Sequence, residues 1–335
     1  MNVLLTIFIS LLLFLNQDLN AEPTKKVGAR YWHSEGETQW SHCASLTCGG
    51  SSFTPITHNG VTYSSNGDPT SELTYSDTKA KVLELYFDFS LPQNDSLIIS
   101  AKLGSGSGDG GSFRDKDWVL VPGTSTSSTY SDTLSSTENT NVSYYILDFG
   151  KTYDYNKSKI KPYFGYVRYK EKLNAYGLNY LEDELSYYNG ESPGVDTSLN
   201  GVKVITNDIT WTGWRIGSEF EYPFNEKAGV TINAAYVLDA DADNSDSHHL
   251  RTSLSDLGPV PNILNKGNDG NGWMLDIIGD YKHSDSLSFG LGYRYWKFES
   301  DNGSTTFGPN HSTAFPNRSL YSERSGFIAS VSYKY

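Results

Sequence analysis

The clearest pattern in this sequence is an alternation of apolar and polar residues over unusually long segments. One face of the last segment is apolar or aromatic, through Phe327, Ala329, Val331, Tyr333 and Tyr335. The same period of two runs through residues 83–91, 97–104 and 287–296. Successive side chains of a β-strand point to opposite faces, so this period predicts strands. At roughly 10–20 residues they are longer than the ~5–6 residues of a typical globular strand.

The connections between these segments come in two sizes. Short turns lie at 91–95, 155–159, 225–229 and 283–286. Long stretches rich in Gly, Ser, Thr and Asn lie at 41–72, 105–137, 179–201, 250–270 and 302–319. Nine connections join ten strands, and short periplasmic turns with long extracellular loops are typical of outer-membrane barrels. We therefore predict an all-β fold, an antiparallel transmembrane β-barrel of about ten strands with both mature termini in the periplasm.

The N-terminal segment predicts export. Residues 3–15 form a run of thirteen nearly all apolar residues, too short for a membrane-spanning helix, which needs ~20 residues. The small residue Ala21 is followed by polar sequence, which suits cleavage after it. The sequence thus predicts a signal peptide over 1–21 and one barrel domain over 22–335, located in the bacterial outer membrane with its loops facing the cell exterior.

Composition agrees with a barrel and narrows its partners. Aromatic residues make up 14% of the chain, with 24 Tyr and 7 Trp, and barrels collect these residues at the two membrane interfaces. The net charge of -13 argues against nucleic-acid binding, whereas an acidic mouth would attract cationic peptides. Seven charged residues are expected to fill the lumen with ion pairs, which argues against a diffusion porin. They are Glu84, Asp148, Arg168, Arg215, Glu219, Asp276 and Arg294.

The two cysteines, Cys43 and Cys48, lie close together in the first long stretch. In an exported protein they favour a local disulfide, because the compartment is oxidising. A zinc site that uses His42 is the alternative, but no second pair of ligands follows at a zinc-like spacing. The sequence therefore predicts a disulfide between Cys43 and Cys48, with no metal and no cofactor.

Two pairs of residues at i, i+2 spacing could carry chemistry. Asp115 and Asp117 would lie on one side of an extended strand, where crowded carboxylates raise each other's pKa and suit general acid/base work. Asp246 and His248 have the same spacing, which lets a carboxylate orient an imidazole. For each pair the alternative is two solvated loop residues, and spacing alone favours that alternative.

Two other motifs are excluded as ligand sites. Asp239, Asp241 and Asp243 resemble the start of a calcium loop, but Asn244 replaces the glycine that the loop needs, and Leu250 stands where its bidentate glutamate should be. The glycine-rich residues 104–111 lack the Lys-Ser/Thr of a phosphate-binding loop.

Taken together, the chain resembles the omptins, a family of ten-stranded outer-membrane barrel proteases, over nearly the whole mature length. The matching residues are Gly110, Gly111, Asp115, Asp117 and Trp118 before the second outer loop, and Asp246 with His248 at the top of the seventh strand. The family has two half-sites on opposite walls of the barrel mouth. By this resemblance, Asp115 and His248 would hold and activate the attacking water. Asp246 would orient His248, and Asp117 would complete the aspartate couple.

The resemblance also implies a substrate and partners. Family members prefer basic residues flanking the cleaved bond, and Glu37 and Asp243 are the acidic residues expected to bind them here. The expected function is an aspartic-type endopeptidase that cleaves cationic peptides or proteins at the cell surface. Outer-membrane lipid, including lipopolysaccharide, is the expected surrounding, and the protein is expected to be a monomer. A non-catalytic barrel that acts as an adhesin or structural protein through its long loops is the alternative.

The alternation makes one expectation that opposes this site. Val230, Ile232, Ala234, Tyr236 and Leu238 form an even-numbered apolar face, so Asp239, Asp241 and Asp243 should point inward. Asp246 and His248 would then face outward unless a β-bulge resets the phase.

Overall fold

The computed structural model describes residues 25–43, 55–58, 61–64, 69–90, 97–120, 127–181, 194–308, 310–311 and 313–335. The predicted signal peptide, residues 1–21, lies outside the described residues and stays a prediction. In the part of the chain that is described, no helix is long and apolar enough to cross a membrane.

The alternating segments form sixteen antiparallel strands in the described part of the chain, all in one sheet. In chain order they are β1 (Lys25–His42), β2 (Pro55–His58), β3 (Val61–Ser64), β4 (Ser71–Ser90), β5 (Leu97–Gly108), β6 (Ser112–Leu120), β7 (Ser127–Lys151), β8 (Tyr153–Tyr155), β9 (Ser158–Tyr180), β10 (Gly194–Val195), β11 (Lys203–Pro223), β12 (Ala228–His248), β13 (Ile263–Lys282), β14 (Leu287–Ser300), β15 (Asn302–Phe307) and β16 (Ala314–Lys334). A short 3-10 helical turn lies at Thr197–Leu199.

The sheet closes into a ring of ten wall strands. Their order is β1, β4, β5, β7, β9, β11, β12, β13, β14 and β16, and β1 pairs with both β4 and β16, so the ring has no free edge. β6 continues the wall beyond β5, because both pair with β4 and β7. In the same way β15 continues β14 between β13 and β16. The predicted all-β antiparallel barrel of about ten strands is confirmed.

One half of the outer wall carries the apolar band that a membrane requires. Its outward side chains are large and exposed, as at Leu291, with 73% of its surface exposed, and Phe327, with 72%. This half is nearest the tight connections at 224–227 and 283–286, and we call that end of the barrel the turn end. A barrel strand needs only ~9–11 residues to cross the membrane. β12 has 21 residues, so about half of it extends beyond the apolar band.

The other half of the wall has a polar outer surface. Lys170 pairs with Asp208 across β9 and β11 at 2.6 Å, and Lys297 pairs with Glu299 along β14 at 2.5 Å. We call the end at which β1 and β12 finish the loop end. Residues of the loop half therefore lie outside the membrane-spanning part of the strands.

Ion pairs fill the lumen within the membrane-spanning half. Glu84 accepts hydrogen bonds from Arg30 at 2.8 Å and from Arg294 at 2.9 Å. Arg294 also donates to both carboxylate oxygens of Asp276, at 2.8 Å each, and Tyr144 donates to Glu84 at 2.7 Å. Buried charges are tolerated when partners and hydrogen bonds satisfy them, as they do here.

Six of the seven predicted lumen charges lie on inward positions, and Arg168 does not. Its neighbours Val167 and Tyr169 are buried, so the alternation of β9 turns Arg168 to the outer face. The prediction for Arg168 is therefore wrong. Asp148 and Arg215, by contrast, meet inside the barrel at 3.0 Å.

The loop end of β1 leads into a disulfide. Cys43, immediately after β1, is buried and disulfide-bonded. Cys48, the other cysteine of the chain, lies outside the described residues.

We expect that the exported protein has no free thiol. A disulfide between Cys43 and Cys48 would close a ring of only six residues, and because short loops lose little entropy on closure, it would stabilise the loop modestly. Labelling of the denatured, unreduced protein with a thiol reagent checks this. Two labelled cysteines before reduction would contradict the pairing.

Candidate active site

A bulge in β12 turns the Asp246–His248 pair into the barrel. Below it, Ala235 and Val237 are the buried, inward residues. At Asp239 the backbone adopts φ +47°, and the register with β13 shifts between Val237 and Ala240. Beyond the bulge the even-numbered residues are the buried ones, which include Asp246 and His248. The β-bulge that Asp246 and His248 need in order to face inward is therefore present.

The same bulge turns three other aspartates outward. Asp239, Asp241 and Asp243 are exposed on the outer face of β12. The expectation that they point inward is wrong, because it carried the phase of the membrane-spanning half past the bulge. Asp243, the residue expected to bind a basic substrate side chain, does not line the cavity described below.

Glu37, the other expected substrate-binding residue, also lies away from that cavity. It is half-buried on the face of β1 opposite Thr38 and Trp40, which are buried. On that face it accepts hydrogen bonds from the hydroxyls of Tyr321 and Ser76. Glu37 and Asp243, the two residues expected to bind basic substrate side chains, therefore both lie outside the cavity that contains Asp115 and His248.

A second change of phase turns the two aspartates of β6 inward. The buried residues of β5 are even-numbered, as at Lys102, whereas the buried residue of β6 is Phe113. Between them, Gly110 and Gly111 have φ values of +117° and +112°. A Cβ on Gly111 would lie 2.5 Å from the carbonyl oxygen of Ser76, so only glycine fits there.

Asp115 and Asp117 follow Phe113 on the inward face. Asp115 pairs in register with Leu73 of β4, and Asp117 with Ser71. The Ser71 hydroxyl hydrogen-bonds the Asp117 carboxylate. The two carboxylates therefore stand side by side, one of them held by a neighbouring strand.

His248 is fixed from both sides. Its Nε2 lies 3.3 Å from Oδ2 of Asp246. Its backbone N–H donates to the side chain of Asn262 at 2.9 Å, and the Asn262 amide donates back to the His248 carbonyl at 3.2 Å. Asn262 is completely buried, so the end of β12 is held against the loop that follows. The Asp246 carboxylate restricts the orientation of the imidazole, and the Asn262 amide fixes the backbone that carries it.

Both half-sites open into one cavity of about 390 Å³ at the loop end. Its lining residues come from seven strands and two loops. They are Trp40, His42, Thr70, Ser71, Leu73, Asp115, Asp117, His248, Arg251, Leu257, Ile263, Phe307 and Phe315. The predicted residues Asp115, Asp117 and His248 thus share a cavity, and Asp246 supports His248 from behind.

Burial and charge shift the titration of these groups. Burial, together with the Asp117 carboxylate, raises the pKa of Asp115 to about 8. Burial also raises the pKa of Asp117, although the Ser71 hydrogen bond opposes this. For His248, burial favours the neutral ring, but the neighbouring Asp246 carboxylate prevails and raises its pKa. Groups with displaced pKa values that meet in a cleft suit proton transfer near neutral pH.

Several buried polar atoms of this site have no hydrogen-bond partner within the described protein. They include Oδ1 of Asp115, Oδ2 of Asp246 and Nε2 of His248. The 3.3 Å contact of the last two is therefore a close charge pair without hydrogen-bond alignment. An unsatisfied buried polar atom costs about 1–3 kcal/mol, so these atoms can bind water or a substrate at little further cost.

Sequence reasoning missed Arg251 and the aromatic residues of the cavity. Arg251 is three residues beyond His248, and a cation so near a candidate histidine was a usable signal. Phe307 and Phe315 lie in a long stretch that had been assigned entirely to a loop. Only ring closure brings them beside Trp40, so no local pattern could have identified them.

Comparison with known proteins addresses the fold. The sequence matches no protein-family model and no curated protein. Among solved structures it is similar to the outer membrane protease OmpT from Escherichia coli, with a TM-score of 0.68, 14% identity, and coverage of 95% of this chain and 99% of that one.

Other barrels are less similar in shape. The translocator domain of the autotransporter NalP from Neisseria meningitidis has a TM-score of 0.37 and 11% identity, covering 100% of this chain and 95% of that one. A FadL homologue from Pseudomonas aeruginosa has a TM-score of 0.31 and 11% identity, with 93% and 90% covered. The likeness to OmpT agrees with the closed ring of ten antiparallel strands. This chain has the fold of an omptin-like outer-membrane β-barrel.

Proposed function

We propose that this protein is an outer-membrane endopeptidase of omptin type, which hydrolyses peptides with a water activated between Asp115 and His248. The observation that carries the proposal is the convergence of Asp115, Asp117 and His248 on one cavity, with Asp246 beside His248. Two separate changes of strand phase are needed to produce this convergence. Solvated loop residues would not require either change.

The chemistry follows from the charges of the site. His248 takes a proton from the water while the water oxygen attacks the carbonyl carbon of the scissile bond. Asp246 stabilises the imidazolium that forms, and His248 returns the proton to the leaving amine nitrogen as the C–N bond breaks. Asp115, in its ionised form, accepts the second hydrogen bond of the water and fixes its position. Asp117 sets the pKa of Asp115 through the repulsion of like charges.

A cationic substrate fits the charge of the protein. The net charge is -13, and Asp239, Asp241 and Asp243 are exposed at the loop half. A field of this sign raises the local concentration of positively charged peptides and their association rate. This attraction acts over the whole mouth and does not require a carboxylate beside the scissile bond.

The test is cleavage of a complex peptide mixture by purified protein refolded in detergent. The mixture should contain unstructured cationic peptides of varied sequence, a fluorogenic dibasic peptide and lipopolysaccharide. New termini, identified by mass spectrometry, are expected with the wild-type chain and not with a His248→Ala chain. If the folded wild type leaves every peptide intact, the endopeptidase is rejected and the non-catalytic barrel remains.

We expect that the loop end faces the cell exterior. The cavity and its acidic surroundings would then be open to peptides in the medium, whereas the turn end would face the periplasm. Protease treatment of whole cells should cut within 250–262, the loop between β12 and β13. Cuts confined to the turns at 224–227 and 283–286 would show the opposite orientation.

A further inference from the structure

The wall between the two half-sites is apolar. From β12 to β6 the ring passes through β13, β15, β16, β1 and β4. These strands contribute Ile263, Phe307, Phe315, Trp40 and Leu73 to the cavity. Asp115 and His248 line the same cavity as these residues, so a peptide side chain that entered the cavity would contact this wall.

Four rings of this wall form a cluster, which we call the aromatic wall: Trp40, His42, Phe307 and Phe315. The ring of His42 stacks on Trp40 at 5.9 Å between centroids and meets Phe307 edge-on at 4.8 Å. Phe315 lies 6.4 Å from His42 and 5.9 Å from Phe307. Trp40 and His42 are buried, whereas the two phenylalanines are half-buried. Edge-on and offset stacked contacts at these separations are the arrangements that aromatic rings prefer, and a further ring can pack against the half-buried phenylalanines in the same way.

His42 contributes to this wall as a neutral ring. Burial lowers the pKa of His42 to about 4, so the imidazole is uncharged at neutral pH. Its Nδ1 and the indole nitrogen of Trp40 are buried without a hydrogen-bond partner in the described protein. The aromatic wall therefore offers apolar surface without charge, most of it from the half-buried Phe307 and Phe315.

The charges of the cavity are poorly suited to a basic side chain. Among its lining residues the carboxylates are Asp115 and Asp117, which the proposed reaction already uses. Arg251 also lines the cavity, and it holds Asp256 through its Nη2 at 2.7 Å. Glu37 and Asp243 lie on the outer face. A lysine or arginine side chain in this cavity would meet Arg251, and among the described lining residues it would find no carboxylate besides Asp115 and Asp117.

We propose that the aromatic wall binds an aromatic side chain of the substrate, next to the scissile bond. The proposal rests on the proposed endopeptidase function and specifies its substrate class: a cationic peptide with Phe, Tyr or Trp at the position that enters the cavity. Positive charges elsewhere in the peptide supply the long-range attraction. The aromatic residue determines which bond is cut.

The test compares three peptides with identical cationic flanks and a single variable residue: phenylalanine, arginine or alanine. We expect kcat/KM for the phenylalanine peptide to exceed that for the alanine peptide by about 10- to 100-fold, as burial of one large apolar side chain implies. The arginine peptide should be cut no faster than the alanine peptide. Preferential cleavage of the arginine peptide, or equal rates for phenylalanine and alanine, would overturn the aromatic wall as a substrate site.

Variants of the wall give a second measurement. Phe315→Ala should reduce the ratio of phenylalanine to alanine cleavage towards one. Phe224→Ala is the matched control, because Phe224 is 64% exposed at the turn end, and its ratio should equal that of the wild type. An unchanged ratio in Phe315→Ala would also overturn the inference. If the peptide mixture is cut but these ratios fail, only the inference falls; if the mixture stays uncut, the proposed function falls as well.

Discussion

Replacing His248 by Ala should lower the turnover of a cleaved peptide by about 10²–10⁴-fold, the usual contribution of a general base. His248 lies in the cavity with Asp115, and its Nε2 is 3.3 Å from the Asp246 carboxylate. Among the described residues that line the cavity, Ser71 is the only serine or cysteine, and its hydroxyl is hydrogen-bonded to Asp117. Direct attack by water therefore needs no protein nucleophile. Loss of the imidazole should therefore remove the group that takes the proton from water. Turnover at saturating substrate measures this directly.

His249→Ala is the matched control. His249 is the adjacent residue, so its side chain leaves the strand on the opposite face. Its Nε2 contacts the hydroxyl of Thr206 at 3.0 Å, and it does not line the cavity. Its loss should change turnover by less than about threefold, since it contributes no proton transfer. Equal losses in the two variants, with both chains folded by circular dichroism, would remove His248 from its proposed role.

The membrane-spanning half of this barrel could be predicted from sequence because its pattern is simple. One face of each strand must meet lipid and the other must meet a polar lumen, so apolar and polar residues alternate without interruption. Leu83 and Leu85 illustrate this, since they are exposed to the outside while Glu84 between them is completely buried. The prediction of a lumen position failed at Arg168, which faces outward in β9. A charged residue does not by itself indicate which face of its strand it occupies.

The loop half could be predicted only in part, because the phase of two strands changes there. In β12 the change occurs at Asp239, a non-glycine residue with φ +47°, and nothing in its sequence identifies a bulge. In β6 the change follows Gly110 and Gly111, which the sequence does display. The half-sites were identified from their motifs, whereas the inward or outward direction of Asp243 and Asp246 required the structure.

The cavity itself was beyond sequence reasoning. Trp40 and Phe307 are far apart in the chain and become neighbours of His42 only when β1 closes the ring beside β16. A preference for basic residues follows from the resemblance to the omptins, whereas the lining of this cavity favours an aromatic residue. The two expectations differ because Glu37, which was expected to bind a basic side chain, is half-buried on the outer face of β1, where it accepts a hydrogen bond from Tyr321.

The raised pKa of Asp115 sets the expected pH dependence of the reaction. Asp115 must be ionised to accept a hydrogen bond from the attacking water, and His248 must be neutral to take its proton. Burial and the Asp117 carboxylate raise the pKa of Asp115 to about 8, and Asp246 raises the pKa of His248. A pKa of about 8 means that Asp115 holds its proton at neutral pH, and the raised pKa of His248 displaces its deprotonation in the same direction. We therefore expect kcat/KM to rise with pH and to level off only above about pH 8.

Asp117→Asn should move this rise in kcat/KM to lower pH. The amide is similar in size to the carboxylate but carries no charge, so the repulsion that disfavours ionised Asp115 disappears and the pKa of Asp115 falls. His248 loses a nearby negative charge as well, which lowers its pKa in the same direction. The matched control is Asp243→Asn, which also removes one negative charge but on the outer face of β12, and the midpoint of its profile should coincide with that of the wild type. Measurement of kcat/KM between about pH 5 and 10 compares the three chains across the ranges in which carboxylates and histidines titrate. A purely structural loss of activity would lower kcat/KM without moving the midpoint downward, so a downward shift with a fixed control identifies the effect of the lost charge. A profile for Asp117→Asn that stays in place or moves to higher pH would show that Asp117 does not control the ionisation of Asp115.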